Sequence, residues 1–207
     1  MGLTIAAENL RQVFNRQTIF SKVSFTVGEG TVLLIAGRNG SGKSTLVKIL
    51  CGVLTPTGGK VTIDGDGALD QFARKARVGL VAPYLQVYEE FSALENLHLS
   101  MTLRGFRSDP SAHRALLERV ALDPKRRDPV RGFSSGMKQR LKYAMALSHH
   151  PPILVLDEPM SNLDADGTAI VRSIMEDQRK AGILVVATND LTDCDRWDTE
   201  VNLNEQR

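Results

Sequence analysis

The stretch GRNGSGKST, residues 37–45, constrains this chain more than any other. It lies between the apolar run TVLLIAG and the segment STLVKILCGV, in which Leu46, Val47, Ile49 and Leu50 share one helical face. The continuous apolar run reads as a strand buried on both sides, as in a parallel sheet. A glycine-rich turn with a lysine and hydroxyls between such a strand and a helix forms a phosphate cradle. Glycines let the backbone curl until its N–H groups converge on an anion. The helix start adds the positive end of its dipole. The candidate phosphate contacts are Asn39, Gly40, Ser41, Gly42, Lys43, Ser44 and Thr45. Lys43 is a point charge for the β- and γ-phosphates of a nucleoside triphosphate, and the Ser44 hydroxyl suits Mg2+. The plain alternative is a glycine turn without a ligand; the agreement of both flanking elements with the pattern speaks against it.

A second apolar run, ILVLDEP, ends in Asp157 and Glu158. In an open parallel sheet, ligands sit at the carboxyl ends of the strands. Asp157 is suited to hold Mg2+ directly or through water, and Glu158 to take a proton from an attacking water. Taken alone, the pair would read as a solvated turn, so this reading depends on Lys43.

The chain has 207 residues, enough for one domain with a sub-lobe. Hydrophobic residues at 42% and charged residues at 24% indicate a folded, soluble chain. A net charge of +2 is too mild to argue for nucleic acid. Cys51 and Cys194 fit no thiolate metal spacing and read as free thiols in a reducing compartment. The start of the chain does not read as a signal peptide, and no window approaches the ~20 apolar residues that span a bilayer. A cytoplasmic location is therefore expected. Strand-like segments LTIAAENL, KVSFTVGEG, GGKVTIDG, ARVGLVAP, ILVVAT and the edge strand DTEVNLN are interrupted by one helical block. This pattern predicts an α/β core, about 1–90 and 151–207, with an inserted helical subdomain at 91–150.

Two further segments are FSSGMKQRLKYAMAL and SNLD. With them the chain resembles the ATP-binding subunits of ABC transporters over nearly its full length. The resemblance implies a P-loop NTPase core with a parallel sheet, an N-terminal antiparallel β subdomain and the helical subdomain. It makes Phe133-Ser134-Ser135-Gly136-Met137 the signature motif, Ser161-Asn162-Leu163-Asp164 the D-loop and Phe14 the aromatic that stacks on adenine. It also implies a head-to-tail dimer in which Ser134, Ser135, Gly136 and Asp164 of one copy face the ATP held by the other. The signature reads independently as a helix start, able to bind an anion or simply capped.

The chain departs from the family pattern in several places. Ser135 and Met137 stand where glycine and glutamine are usual. The Q-loop position falls on Gln86, as catalytic residue and metal ligand beside Ser44 and Asp157; the spacing also admits Tyr84. Asn189 occupies the usual place of a catalytic histidine. It donates a hydrogen bond but carries no positive charge, which predicts slower turnover. The implied partners are ATP, Mg2+, a multi-span membrane permease on whose cytoplasmic face the subunit docks, and an identical or similar ATPase subunit; no nucleic acid is expected. The run SALENLHL is also similar to the ATPase of the haem exporter of cytochrome c maturation. Two alternatives stand beside transport: an ABC ATPase acting on ribosomes or DNA, and a regulatory nucleotide-binding module with little turnover. Tyr84, Leu85 and Tyr88 suit either a groove for a partner's short helix or plain packing between lobes. His98 and His113 read as surface residues, and His149-His150 as a helix C-terminal dipole contact.

Overall fold

The computed structural model describes residues 2–64 and 76–205. In chain order the strands are β1 (Thr4–Phe14), β2 (Gln17–Gly28), β3 (Val32–Ala36), β4 (Gly58–Asp64), β5 (Val78–Val81), β6 (Ile153–Asp157), β7 (Ile183–Thr188) and β8 (Thr199–Asn202). The helices are α1 (Lys43–Leu50), α2 (Ala93–Leu103), α3 (Pro110–Arg119), α4 (Ser135–Leu147) and α5 (Ala165–Ala181). β1 and β2 form a hairpin closed by Asn15 and Arg16, at φ 49° and 67°. This is the two-residue turn whose twist matches that of its strands. β4 pairs with the other edge of β1, giving an antiparallel sheet of order β2-β1-β4.

The second sheet runs β5-β6-β7-β3-β8, with every neighbouring pair parallel. β3, β6 and β7 are buried along their whole length, as their unbroken apolar sequences require. Alternate residues serve opposite cores. Leu34, Leu154, Leu156, Leu184 and Val186 pack with α5 and the helical block. Leu33, Ile35, Ile153, Val155 and Val185 pack with α1 and the antiparallel sheet. Because the strands are parallel, the segments after β3, β6 and β7 all leave from one edge of the sheet. This register alone collects the phosphate loop, the Asp157–Glu158 pair and Asn189.

The helical block is tied down by buried polar bonds. Asn96, fully buried on α2, accepts from the Tyr88 N–H at 2.8 Å and donates to the Tyr88 carbonyl at 3.0 Å. It thereby fixes the link between β5 and α2. Tyr143 on α4 donates from its hydroxyl to the Pro159 carbonyl at 2.8 Å, which anchors the chain just beyond β6. Ser92 and Glu95 close a capping box on α2, and Asp109, Ser134 and Asp164 cap α3, α4 and α5.

Two histidine expectations are corrected. His113 is buried, because residues 113, 116 and 117 share the inward face of α3 with Leu116 and Leu117. Burial holds its pKa below the usual value, so the ring enters the core neutral. His149 is not a cation at the end of α4. Its ring stacks on Phe106 at 5.4 Å and accepts from Arg104 at 3.4 Å, joining the ends of α4 and α2. Burial first, and the Arg104 charge second, push its pKa down to about 4. His98 is exposed and pairs with Ser108 at 2.8 Å.

Between the C-terminal end of α1, β5 and α2 lies an apolar cavity of about 380 Å³, lined by Cys51, Val53, Val78, Leu80, Leu85 and Leu103. Val53 and Leu103 are 59% and 67% exposed, so the cavity opens through apolar rims. No helix among the described residues is long and apolar enough to cross a membrane.

Candidate functional site

Helices α2 to α5 each have a side-chain N-cap; α1 has none. Its N-cap is Gly42, in the left-handed region at φ 105°. A Cβ there would lie 2.6 Å from Ile19 Cγ2 and 3.2 Å from Phe20 Cδ1, so only glycine lets the start of β2 close over the loop. The first N–H groups of α1 are left for a ligand rather than for a side chain. Asn39, Gly40 and Ser44 are exposed around this end, and Thr45 is half-buried. The Ser41 hydroxyl is buried and unpartnered.

Lys43 is 6% exposed. Its ammonium donates to the Gly37 carbonyl at 2.8 Å and stands 3.3 Å from Glu158 Oε1. It therefore connects the loop after β3 to the end of β6. Glu158 takes the left-handed backbone conformation at φ 51°, uncommon for a residue with a side chain. Its N–H donates to the Ala187 carbonyl at 2.8 Å, which fixes the turn against β7.

Asp157 is fully buried, and neither carboxylate oxygen has a hydrogen-bond partner. Burial raises its pKa above the usual carboxylate value; the Ser44 hydroxyl draws it back without closing a hydrogen bond. An unpaired buried carboxylate beside an exposed hydroxyl, with Lys43 and Lys48 near, fits a divalent cation shared with phosphate oxygens. The described residues hold no group of three or more His, Cys, Asp or Glu able to hold a metal unaided. Mg2+ is commonly bound by one or two side chains plus substrate oxygens, and Asp157 with Ser44 is a pair of that kind.

Asn189 follows β7, exposed and with no side-chain hydrogen bond among the described residues. Thr188 before it is fully buried. The Thr188 hydroxyl lies 2.6 Å from Asp193 Oδ2 and 3.5 Å from Glu158 Oε2. The sequence reading missed Thr188 and Asp193. The available signal was a polar residue closing the apolar run ILVVAT.

Gln86 is exposed and makes no hydrogen bond to Ser44 or Asp157. It lines a cleft of about 310 Å³ with Ser135, Lys138, Gln139, Lys142 and Asn162, against the signature helix. Tyr84, the alternative, lies on the α1 side of the same connection. Its pKa is raised by burial first and by the Asp157 charge second, and its ring lies 4.4 Å from Lys48 Nζ.

At the signature, Ser134 accepts from the Met137 N–H at 3.2 Å, and Ser134 and Ser135 are both exposed. A Cβ on Gly136 would stand 3.1 Å from the Asn162 carbonyl, so the D-loop lies across this helix start. Asp164 accepts from the Gly167 N–H at 2.8 Å, capping α5. Phe14 is 43% exposed at the hairpin end of β1.

A parallel sheet delivering a glycine loop with its lysine, and a carboxylate pair two strands away, defines a nucleoside triphosphatase. The ABC transporter family model matches residues 20–161. The lantibiotic transport ATP-binding protein SrtF of Streptococcus pyogenes is 33% identical over 182 residues, covering 88% of this chain and 78% of that protein. The bacitracin transport ATP-binding protein BcrA of Enterococcus faecalis is 34% identical over 176 residues, covering 84% of this chain and 57% of that one. The fold superposes with TM-score 0.84, at 23% identity, on a dimeric ATP-binding cassette in a post-hydrolysis state bound to ADP and Pi, covering 96% of this chain and 93% of that one. The chain belongs to the ABC transporter family, as an ATP-binding subunit with the family's ATPase activity.

The unpaired Asp157 carboxylate weakens the fold at neutral pH. Its folded pKa lies above the unfolded value, so the unfavourable ionised state develops as pH rises and vanishes on acidification. Asp157→Asn should therefore be more stable at pH 7 by about 1–3 kcal/mol in urea unfolding. That advantage should shrink as pH falls towards about 4.

Proposed function

We propose that this subunit binds MgATP between two copies, or between itself and a similar subunit, and that hydrolysis drives a membrane permease from the cytoplasmic face. The observation that carries this reading is the buried, unpartnered Asp157 beside the Lys43–Glu158 pair. Ser44 and Asp157 would hold Mg2+, with Gln86 or Tyr84 at the link to the helical block. Bound there, Mg2+ would neutralise charge on the phosphates. Lys43 and the α1 N–H groups hold the β- and γ-phosphates. Phe14 offers an exposed aromatic face for adenine. Glu158 takes the proton of the attacking water, and Asn189 donates to the γ-phosphate.

The dimer follows from a surplus. One chain carries a second exposed helix start, at Ser134-Ser135-Gly136, with the D-loop across it. Two-fold head-to-tail pairing brings that start to the phosphates of the other copy. Asp164 then acts from the seam, while capping its own helix. The structural relative named above is itself dimeric.

The permease docks at the apolar cavity between α1, β5 and α2, where Leu85 faces inward and Val53 and Leu103 form the rim. A short helix in such a groove is a common recognition mode. The haem-exporter likeness and the lantibiotic and bacitracin relatives point to different cargoes. Their names favour transport over work on ribosomes or DNA.

Three outcomes test this reading. Glu158→Gln should lower steady-state hydrolysis by about 10²-fold or more while ATP binding persists, and ATP should then trap a dimer in size-exclusion chromatography. Undiminished hydrolysis would remove Glu158 from the mechanism. Asn189→His should raise kcat, since a cationic donor is restored beside the γ-phosphate. Leu103→Asp should leave ATPase activity intact and abolish co-purification with the permease from solubilised membranes.

A further inference from the structure

We propose that Asp193 is a positioning residue for hydrolysis: it captures the only proton of the Thr188 hydroxyl and so keeps Glu158 Oε2 free for the attacking water. The inference rests on the reading of Glu158 as proton acceptor and adds what makes that acceptor available. A threonine hydroxyl has one proton to donate. Three oxygens compete for it: Asp193 Oδ2 at 2.6 Å, the Asp190 carbonyl at 3.3 Å and Glu158 Oε2 at 3.5 Å. The shortest distance, to a carboxylate, takes the proton.

The same hydroxyl oxygen accepts from the Asp190 N–H at 3.0 Å. With that bond made and its proton on Asp193, Thr188 faces Glu158 with a lone pair and no donor. Glu158 Oε1 is engaged by Lys43, and among the described residues Thr188 is the donor group set against Oε2. In hydrolysis the water oxygen bonds to the γ-phosphorus while the bond to the bridging oxygen breaks. ADP leaves with that electron pair, and the water proton passes to Glu158. An oxygen already accepting from Thr188 would receive that proton less readily.

Asp193 lies among charges of both signs. Asp190 and Glu158 face it with like charge and Arg172 with opposite charge. Arg172 is itself fixed by Asp195 and by the Thr192 carbonyl at 2.8 Å. Asp190 Oδ1 accepts from the Thr192 N–H at 2.9 Å and hydroxyl at 2.7 Å, which turns that carboxylate towards Thr192.

The test is a double-mutant cycle on the purified full chain with ATP and magnesium. Asp193→Ala removes the acceptor and leaves the Thr188 proton to the Asp190 carbonyl at 3.3 Å or to Glu158 Oε2 at 3.5 Å, of which the carboxylate is the stronger acceptor. It should lower kcat about tenfold or more, with KM and calorimetric ATP affinity unchanged. Asp193→Asn, whose amide oxygen still accepts, should retain more activity than Asp193→Ala. In a Thr188→Val background, which has no hydroxyl to misdirect, Asp193→Ala should cost nothing further. A through-space effect of the lost charge would persist there, and so would a general loss of structure. Either persistence, or an unchanged kcat in Asp193→Ala, overturns the proposal. If Asp193→Ala does not fold, Asp193→Leu fills similar space and is read in the same cycle. Glu158→Gln serves as control: if it hydrolyses normally, the underlying reading of Glu158 fails and takes this one with it. If it is inactive while the cycle shows no coupling, only the role of Asp193 is lost.

Discussion

The site depends on one ammonium group. Lys43 Nζ reaches back to the Gly37 carbonyl and across to Glu158, joining segments that leave β3 and β6. Those strands are not neighbours; β7 lies between them. The bridge exists only because all three strands run parallel in a fixed register and end at the same edge. A slip of one residue in β6 would turn Asp157 to the other face of the sheet, since side chains alternate along a strand. The apolar faces prevent that slip, with Ile153 and Val155 committed to one core and Leu154 and Leu156 to the other. Hydrophobic burial sets the register, and the register sets the electrostatics.

The electrostatics oppose stability locally. Asp157 is buried without a partner, and Glu158 sits in an uncommon backbone conformation. Each weakens the folded state, and such features persist where the surrounding structure over-determines them. Here the surroundings do so twice. The Glu158 N–H is bonded to β7, and the Pro159 carbonyl receives the buried Tyr143 hydroxyl from α4. The helical block therefore does more than carry the signature: through Tyr143 it also steadies the turn that presents the carboxylates.

Much of this was legible in the sequence, for a physical reason. Glycines, the lysine and the unbroken apolar runs are local signals, and a phosphate loop is built from local backbone. β3, α1, β6, α5 and β7 could be read because their apolar patterns are long and unambiguous. Even the edge position of β8 followed from its mixed composition. What escaped was set by tertiary approach. His113 looks polar in isolation, yet its spacing to Leu116 and Leu117 turns it inward. Gln86, one of two residues the spacing admits, lines the cleft against α4, while the Tyr84 ring lies beside Lys48 of α1. No periodicity reports which of two residues in a short connection points to a buried charge.

Thr188 and Asp193 show the same limit at finer scale. A threonine ending an apolar strand is unexceptional, and an aspartate in a short turn is ordinary surface chemistry. Their meaning comes from arithmetic over a single proton, which needs distances. One hydroxyl set among three oxygens can satisfy only one, and the 2.6 Å contact decides which. The carboxylate that goes without is the one facing the phosphate loop. Where the oxygens of a buried site outnumber its protons, one is left unsatisfied, and the groups that decide which one belong to the site as much as those that touch the ligand.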